Sequence, residues 1–413
     1  MIALFLLCAV LPIVSSAQTF TSLADFDWTD GDNPNGALVE GADGNFYGTT
    51  YYGGANGEGS VFQVTPEGAL TAIYSFCSLP KCADGDQPFA GLVLGSNGIL
   101  YGSTYGTIFS VTTGGQLTTL YTFCSLPHCA DGVGVYDKLA LGSDGNFYGT
   151  TFYGGTIETY ECEGACGTVF KITPSGALTT LHSFRGKDGY WPVGGLTQGS
   201  DGNFYGTTSR GGAKGFGTIF KITSAGAFTL LHNFTGTDGS MAEGQLVQTA
   251  DGTFYGTTAQ GGPDNGGVVY KMTSAGKVTL LRSFNDSGSN GFSPEGLLLA
   301  SDGNFYGTNG SGGSGVGNCP LADYCGTIFK LTPSGQLTTL YNFCPQSGCP
   351  EGGNPTYMVQ GTDGNLYGPT YLGGSSNGTE CGPTGSCGTI FKFSLGRLPS
   401  GKPASRQRLQ IAP

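Results

Sequence analysis

Glu243 and Glu295 occupy the same position in two successive units of a repeating chain, and paired carboxyl groups are the equipment of glycosidic bond cleavage. A retaining pair stands about 5–5.5 Å apart and an inverting pair roughly 6.5–9.5 Å apart. Asp188 and Asp238, upstream on the connecting loops, are the acids behind them. Burial beside Trp191 or Phe292 would raise one carboxyl's pKa and make it a general acid. The column that holds the two glutamates reads Asn35, Phe89, Tyr136, Val193, Glu243, Glu295 and Thr356, and it varies while its surroundings repeat.

Five residues before that column runs a second one: Asp30, Asp84, Asp131, Asp188, Asp238, Asn290 and Glu351, each followed by glycine. Such a carboxylate serves either as an acidic rim for cationic groups or, more simply, as a turn residue that accepts its own backbone N–H groups. Aromatic residues gather in the same loops: Trp28, Phe89, Tyr136, Tyr190, Trp191, Phe292 and Tyr357. Aromatic faces among polar groups suit stacking on sugar rings, and they equally suit filling gaps between packed units.

Other chemistries lack their residues. The three histidines are His128, inside a cysteine loop, and His182 and His232, which replace a repeated tyrosine. Neither a histidine zinc site nor a serine triad can be assembled from them. The glycine-rich turns lie between strands and do not open a helix, so they do not cradle phosphate, and no Asp-x-Asp-x-Asp-Gly calcium loop occurs. No metal and no cofactor are expected.

The elements that must position these residues are set by one octapeptide, Asp201-Gly202-Asn203-Phe204-Tyr205-Gly206-Thr207-Thr208. Its other copies start at Asp43, Asn97, Asp144, Asp251, Asp302 and Asp363, at intervals of 54, 47, 57, 50, 51 and 61 residues. A period of that size marks a propeller or solenoid. Between Gly195 and Phe234 four short apolar runs are separated by Ser-Asp-Gly-Asn, Gly-Gly and Ser-Ala-Gly turns, which describes a four-stranded antiparallel meander, strands a to d. The tyrosines of the octapeptide (Tyr47, Tyr101, Tyr148, Tyr205, Tyr255, Tyr306 and Tyr367) and the strand c lysines 171, 221, 271, 330 and 392 are packing residues in this reading. The seventh unit stops after its third strand at Ile390-Phe391, and a lone fourth-strand pattern, Phe20…Leu23…Phe26, precedes the first unit. The expected fold is therefore all-β, a seven-bladed β-propeller of four-stranded blades closed by the N-terminal strand completing the last blade.

Seventy-six glycines and 11% charged residues fit such a fold, and a net charge of −12 sets the chain against nucleic acid and anionic membranes. The run Ile2 to Val14, followed by Ser15-Ser16-Ala17, reads as a secretory signal peptide over residues 1–17 and is too short to span a bilayer. Of thirteen cysteines, Cys8 lies in that segment. The other twelve form close pairs, read as the disulfides Cys77-Cys82, Cys124-Cys129, Cys162-Cys166, Cys319-Cys325, Cys344-Cys349 and Cys381-Cys387. Zinc would need two pairs in one place, whereas these pairs belong to different repeats and should lie far apart. Every pair falls on the face formed by the d–a and b–c loops. Residues 18–396 form the propeller, and 397–413 are expected to be a polar, disordered tail.

The grammar Gly-Leu-x-x-Gly-Ser-Asp-Gly-Asn-Phe-Tyr-Gly-Thr-Thr, Gly-Gly, Gly-Thr-Ile-Phe-Lys-Ile-Thr-x-x-Gly and Leu-Thr-Thr-Leu-x-x-Phe resembles the GloVer tandem repeat of choice-of-anchor surface proteins, over Thr19 to Gly396. In layout it is similar to NHL propellers. The resemblance implies a secreted or surface-displayed bacterial propeller and implies no enzymatic activity. Members often carry a C-terminal module or anchor; here a short basic stretch with Arg406 and Arg408 follows the repeats. The expected function is a secreted monomer whose disulfide-stapled loop face binds an extracellular polysaccharide. The alternatives are a structural or protein-interaction surface protein, and a glycoside hydrolase or polysaccharide lyase at the channel mouth.

Overall fold

The computed structural model describes residues 18–156, 166–286, 289–314, 325–374, 381 and 387–396. Seven antiparallel sheets succeed one another along the chain, and among the described residues the helical pieces are two 3-10 turns, Pro80–Cys82 and Pro127–Cys129. The protein is a seven-bladed β-propeller. In the fourth blade, strand a is Thr197–Gln198, b is Phe204–Thr208, c is Thr218–Ile222 and d is Phe228–Asn233, hydrogen-bonded in that order. Strand a is two residues long in blades 2 to 5; in blades 1 and 7 a further segment, Asp32–Pro34 or Gly353–Pro355, also pairs with strand b, and in the sixth Phe292–Leu299 runs continuously.

Closure takes the expected form. Thr19–Asp25 pairs antiparallel with Thr389–Ser394, from Thr19 opposite Ser394 to Asp25 opposite Thr389, and so supplies strand d of blade 7. Phe20 stacks on Tyr341 of blade 6 at 3.9 Å between ring centroids, and Phe26 meets Phe62 of blade 1 edge-on at 4.9 Å. The strand thus covers an edge that would otherwise be open to pairing with another chain, and it packs against both neighbouring blades.

Each residue of the octapeptide has a separate task. Its Phe stacks on the Tyr of the preceding blade, with centroids 3.8 to 4.3 Å apart in the five aromatic pairs, among them Tyr148–Phe204 and, across the closure, Tyr367–Phe46. Leu100 and Leu366 take the place of Phe in blades 2 and 7, and each is buried in the same cluster as the preceding Tyr47 or Tyr306. The Tyr hydroxyl donates to the Asp that opens the motif, as from Tyr205 to Asp201 at 2.8 Å, and Lys330 and Lys392 pair with Asp302 and Asp363 at 3.0 and 3.3 Å. The Gly lies opposite the aromatic of strand c; a Cβ on Gly206 would come within 2.6 Å of the Phe220 ring, so no side chain fits. The first Thr donates to the neighbouring blade in blades 1, 3, 5 and 6, as Thr49 does to the Ala90 carbonyl at 2.8 Å, and the second bonds strand c, as Thr208 does to Thr218 at 2.9 Å.

The disulfides Cys77–Cys82, Cys124–Cys129, Cys344–Cys349 and Cys381–Cys387 are formed. Cys166 and Cys325 are also disulfide-bonded, while Cys162, Cys319, the expected signal peptide 1–17 and the expected tail 397–413 lie outside the described residues. One expectation is corrected: the pairs are not all far apart, because the sulfurs of Cys325, Cys344 and Cys349 lie within 4.8 Å of one another. The loop before strand c and the loop after strand d of one blade converge on the same face, so two staples of blade 6 meet there. All three sulfurs are committed to disulfides.

Truncating Phe204 to Ala, which removes an inter-blade stack at 0 % exposure, is expected to cost about 3–5 kcal/mol in chemical denaturation. Deleting Thr19–Asp25 is expected to produce aggregation and loss of a cooperative melt, read by light scattering and calorimetry; a monomeric deletion with unchanged melting would contradict closure by this strand.

Candidate functional site

Entry into each strand a is built by one backbone device. The residue two places before the variable column adopts a left-handed conformation in every blade: Asn33, Gln87, Gly134, Trp191, Met241, Ser293 and Asn354, with φ between 50° and 78°. Six of them are not glycine, so the conformation is held by its surroundings. The amide N–H groups of Asn33, Trp191 and Asn354 donate to the carbonyls of Cys387, Cys166 and Cys325 on the preceding blade, at 3.1, 3.1 and 2.9 Å. Next comes Pro34, Pro88, Pro192, Pro294 or Pro355 in five blades, set against a glycine that precedes strand c; a Cβ on Gly167 would lie 2.8 Å from Pro192 Cδ. Disulfide loops therefore brace the turn that aims the following side chain into the channel.

Those side chains line one cavity of about 340 Å³ at the channel mouth. Asn35, Phe89, Tyr136, Val193, Glu243 and Glu295 all contribute, so six of the seven members of the variable column come together. The seventh does not. Thr356 is buried and donates to the Asn35 carbonyl at 2.8 Å, and the cavity is lined by the next residue, Tyr357.

The lining has two unlike sides. Blades 1 to 4 carry a continuous chain of rings: Tyr51 to Phe89 at 5.7 Å, Phe89 to Tyr136 at 5.2 Å, Tyr136 to Phe152 at 5.1 Å, all edge-to-face, then Phe152 stacked on Trp191 at 5.0 Å. Blades 5 and 6 carry Glu243 and Glu295. Burial pushes the Glu243 carboxyl up to about 7, partly opposed by the Arg210 guanidinium. Burial, then the neighbouring Glu243 charge, pushes Glu295 up to about 8. The two expected acids are thus electrostatically coupled neighbours.

Tyr357 crosses the channel. Its hydroxyl reaches to 3.5 Å from the Glu243 carbonyl two blades away, and its ring lies over Gly296, where a Cβ would come within 2.9 Å. It also lines a second cavity of about 280 Å³ on the other side, with Leu297, Leu299, Val247 and Lys138. Burial, with the charges of Asp137, Glu295 and Glu243, holds its phenol well above the usual tyrosine range. Asp137 is the residue that the sequence reading missed. Burial raises its carboxyl to about 7 against the pull of Lys138, and its buried Oδ2 has no hydrogen-bond partner. A signal existed: the position after the variable column is Gly36, Ala90, Gly194, Gly244 and Gly296 in five blades, and only Asp137 and Tyr357 break the run of small residues. Phe152, also missed, replaces the Tyr51, Ser209 or Ala259 that follows the octapeptide elsewhere.

The other nominated residues lie elsewhere. Asp84 accepts from the Tyr74 and Ser78 hydroxyls at 2.7 and 2.8 Å and from the Ser78 and Leu79 amides at 2.9 and 3.1 Å, and Asp131 repeats the pattern with Tyr121, Ser125 and Leu126. Asp188 pairs with His182 at 2.8 Å and Asp238 with His232 at 2.9 Å, which explains why histidine replaces tyrosine in those two blades. Asp30 is held up at about 7 by burial, and burial also raises Glu351. These acids close their own loops beside strand d, away from the cavity. Of the seven aromatics, Phe89, Tyr136 and Tyr357 line the cavity and Trp191 backs it. Trp28, Tyr190 and Phe292 are half-buried outside the cavity lining.

The fold defines a closed propeller with a single-ended mouth cavity, and the repeat defines its family. A Gloeobacter/Verrucomicrobia repeat profile matches residues 9–161 and 103–320, and the chain belongs to that family. No curated protein matches the sequence. Among solved structures, a streptogramin B lyase aligns over 91% of this chain and 97% of its own at 14% identity and a TM-score of 0.57. A gluconolactonase from Xanthomonas campestris aligns over 89% and 88% at 11% identity and a TM-score of 0.41. An aldose sugar dehydrogenase from Streptomyces coelicolor aligns over 74% and 93% at 16% identity and a TM-score of 0.46. At such identities the likeness is one of fold.

Because the folded pKa of Glu295 lies near 8 against a usual 4.5, the native state holds the extra proton between those values. Its contribution to stability is complete below about pH 4.5 and is lost as pH rises through about 8. Glu295→Gln is expected to melt higher than the parent at about pH 9 and alike at about pH 4, by calorimetry across that range. A variant that melts lower at alkaline pH would show that the carboxylate is held by partners that favour its charge.

Proposed function

We propose that the protein binds a sugar-sized polar ring in the channel-mouth cavity. The observation that carries this reading is the opposition of an aromatic arc, Phe89, Tyr136 and Phe152, to a carboxyl arc, Glu243 and Glu295, across one enclosed space. Sugars present an apolar C–H face and equatorial hydroxyls, which such a pair of walls would receive together. The extended loop-face platform of the sequence reading contracts here to one or two sugar units. An extracellular setting is supported by the disulfides, and among the described residues no helix is long and apolar enough to cross a membrane.

A second reading is favoured by the coupling of Glu243 with Glu295. Carboxyls that titrate near 7 and 8 side by side are suited to general acid–base exchange, which would make the site a hydrolase or lyase acting on a glycan end. In that case Tyr357, between them and Asp137, would hold the proton path. Reducing-sugar release from a polysaccharide panel that disappears in both Glu243→Gln and Glu295→Gln supports the enzyme. Release that survives both substitutions eliminates this pair.

Trp191 gives the binding reading a direct probe, since it stacks on the cavity residue Phe152. Titration with disaccharides is expected to shift tryptophan emission, and Tyr136→Ala is expected to weaken binding by about tenfold, as loss of about 1–1.5 kcal/mol of ring stacking would do. Unchanged affinity in Tyr136→Ala would remove the aromatic wall from the account.

A further inference from the structure

We propose that the ring taken by this cavity carries a free ammonium group, which makes the ligand class an amino sugar or a short oligosaccharide of de-N-acetylated units. The inference rests on the reading of the cavity as a sugar site. Its ground is the one-sided chemistry of the lining. The polar side chains that face the space are Glu243, Glu295, the Asn35 amide and the phenols of Tyr136 and Tyr357, and no lysine, arginine or histidine is among the lining residues.

The nearby cations are placed outside. Arg210, on blade 4, acts on Glu243 without being among the lining residues, with its Nη2 3.6 Å from Met241 Sδ. Lys138, on blade 3, lines the second cavity beyond Tyr357 and acts on Asp137. Three carboxyls from blades 3, 5 and 6 therefore surround Tyr357 with two cations held off the lumen.

Two features of this arrangement single out an ammonium group. Ionised carboxylates packed against protein are costly unless a cation joins them. The opposite wall is built of three aromatic rings, whose π-faces attract a cation as well as a C–H surface. A uronic acid would add a fourth carboxylate to the cluster and be repelled. A neutral sugar would satisfy the hydroxyl-binding capacity and leave protons, in place of a ligand cation, on the carboxyls. The raised proton affinity of both carboxyls, caused by burial and at Glu295 also by the Glu243 charge, agrees with this: protons occupy the carboxyls where another cation is lacking. An arriving ammonium would displace them, so binding should release protons.

The test is calorimetric titration of the full chain near neutral pH with three β-1,4-linked disaccharides that differ at one substituent: the glucosamine dimer, cellobiose and the N-acetylglucosamine dimer. The glucosamine dimer is expected to bind at least about tenfold more tightly than the other two, to lose affinity with added salt, and to release protons, seen by repeating the titration in buffers of different ionisation enthalpy. Glu295→Gln and, separately, Glu243→Gln are expected to erase most of that preference, read as the ratio of glucosamine-dimer to cellobiose affinity within each variant, with parental melting at acid pH confirming the fold. Equal affinity for all three, or preference for cellobiose, overturns the ammonium inference and leaves the sugar site standing. Binding of none of them overturns both.

Discussion

The structure depends on a stack repeated around the ring: the Phe of one octapeptide on the Tyr of the blade before it. Both rings sit at or near 0 % exposure, so each stack buries two of the largest side chains in the chain where two sheets meet. The Gly that follows each Tyr lets the aromatic of strand c lie flat against strand b, so each blade is thin enough to repeat the contact. A closed ring needs the same contact between the last blade and the first, and Tyr367 on Phe46 supplies it. The N-terminal strand then covers the remaining edge. Repetition of one short motif thus serves both blade formation and ring closure, which is how quasi-one-dimensional repeats accumulate stability from neighbour contacts.

The same regularity builds the channel mouth. Seven left-handed residues turn seven chains toward the axis, and carbonyls from the preceding blade, three of them belonging to disulfide-bonded cysteines, hold some of those turns in place. Strain of this kind persists only where the surroundings over-determine it. Cysteine loops that look remote from the axis therefore act on it through one hydrogen bond each. This gives the one-sided distribution of disulfides a mechanical role next to their protection of exposed loops.

Charge divides the acids into two groups. The Asp of each turn and the Asp of most loops accept several N–H or O–H groups, which holds carboxyls such as Asp84, Asp188 and Asp201 below their ordinary pKa. Glu243, Glu295 and Asp137 go the other way, because burial outweighs the pull of Arg210 on Glu243 and of Lys138 on Asp137, and at Glu295 the Glu243 charge adds to it. Oppositely shifted carboxyls in one protein separate structural acids from those available to a ligand. The first group explains the repetition of the motif; the second lies where the repetition fails.

The octapeptide period and the half units at the two ends were enough to derive a seven-bladed ring closed by the N-terminal strand, because each unit is specified by local turn chemistry and by contacts one repeat away. The variable column was equally legible, and it placed Glu243 and Glu295 together, since equivalent positions in adjacent blades must converge on the axis. What the sequence could not settle was which neighbours share a cavity. Thr356 holds the expected register, yet Tyr357 fills the channel, because a buried threonine that bonds Asn35 leaves the next side chain to point inward. Trp28 and Trp191 look alike as loop tryptophans, but only Trp191 follows a turn that brings it against Phe152. Asp188 and Asp238 read either as turn residues or as rim acids, and only the outer strand shows His182 and His232 brought to them. Local geometry and repeat spacing are encoded within tens of residues and determine the ring. The pairing of side chains across its axis joins residues more than a hundred positions apart, such as Tyr357 and Glu243, and only the closed tertiary structure decides it.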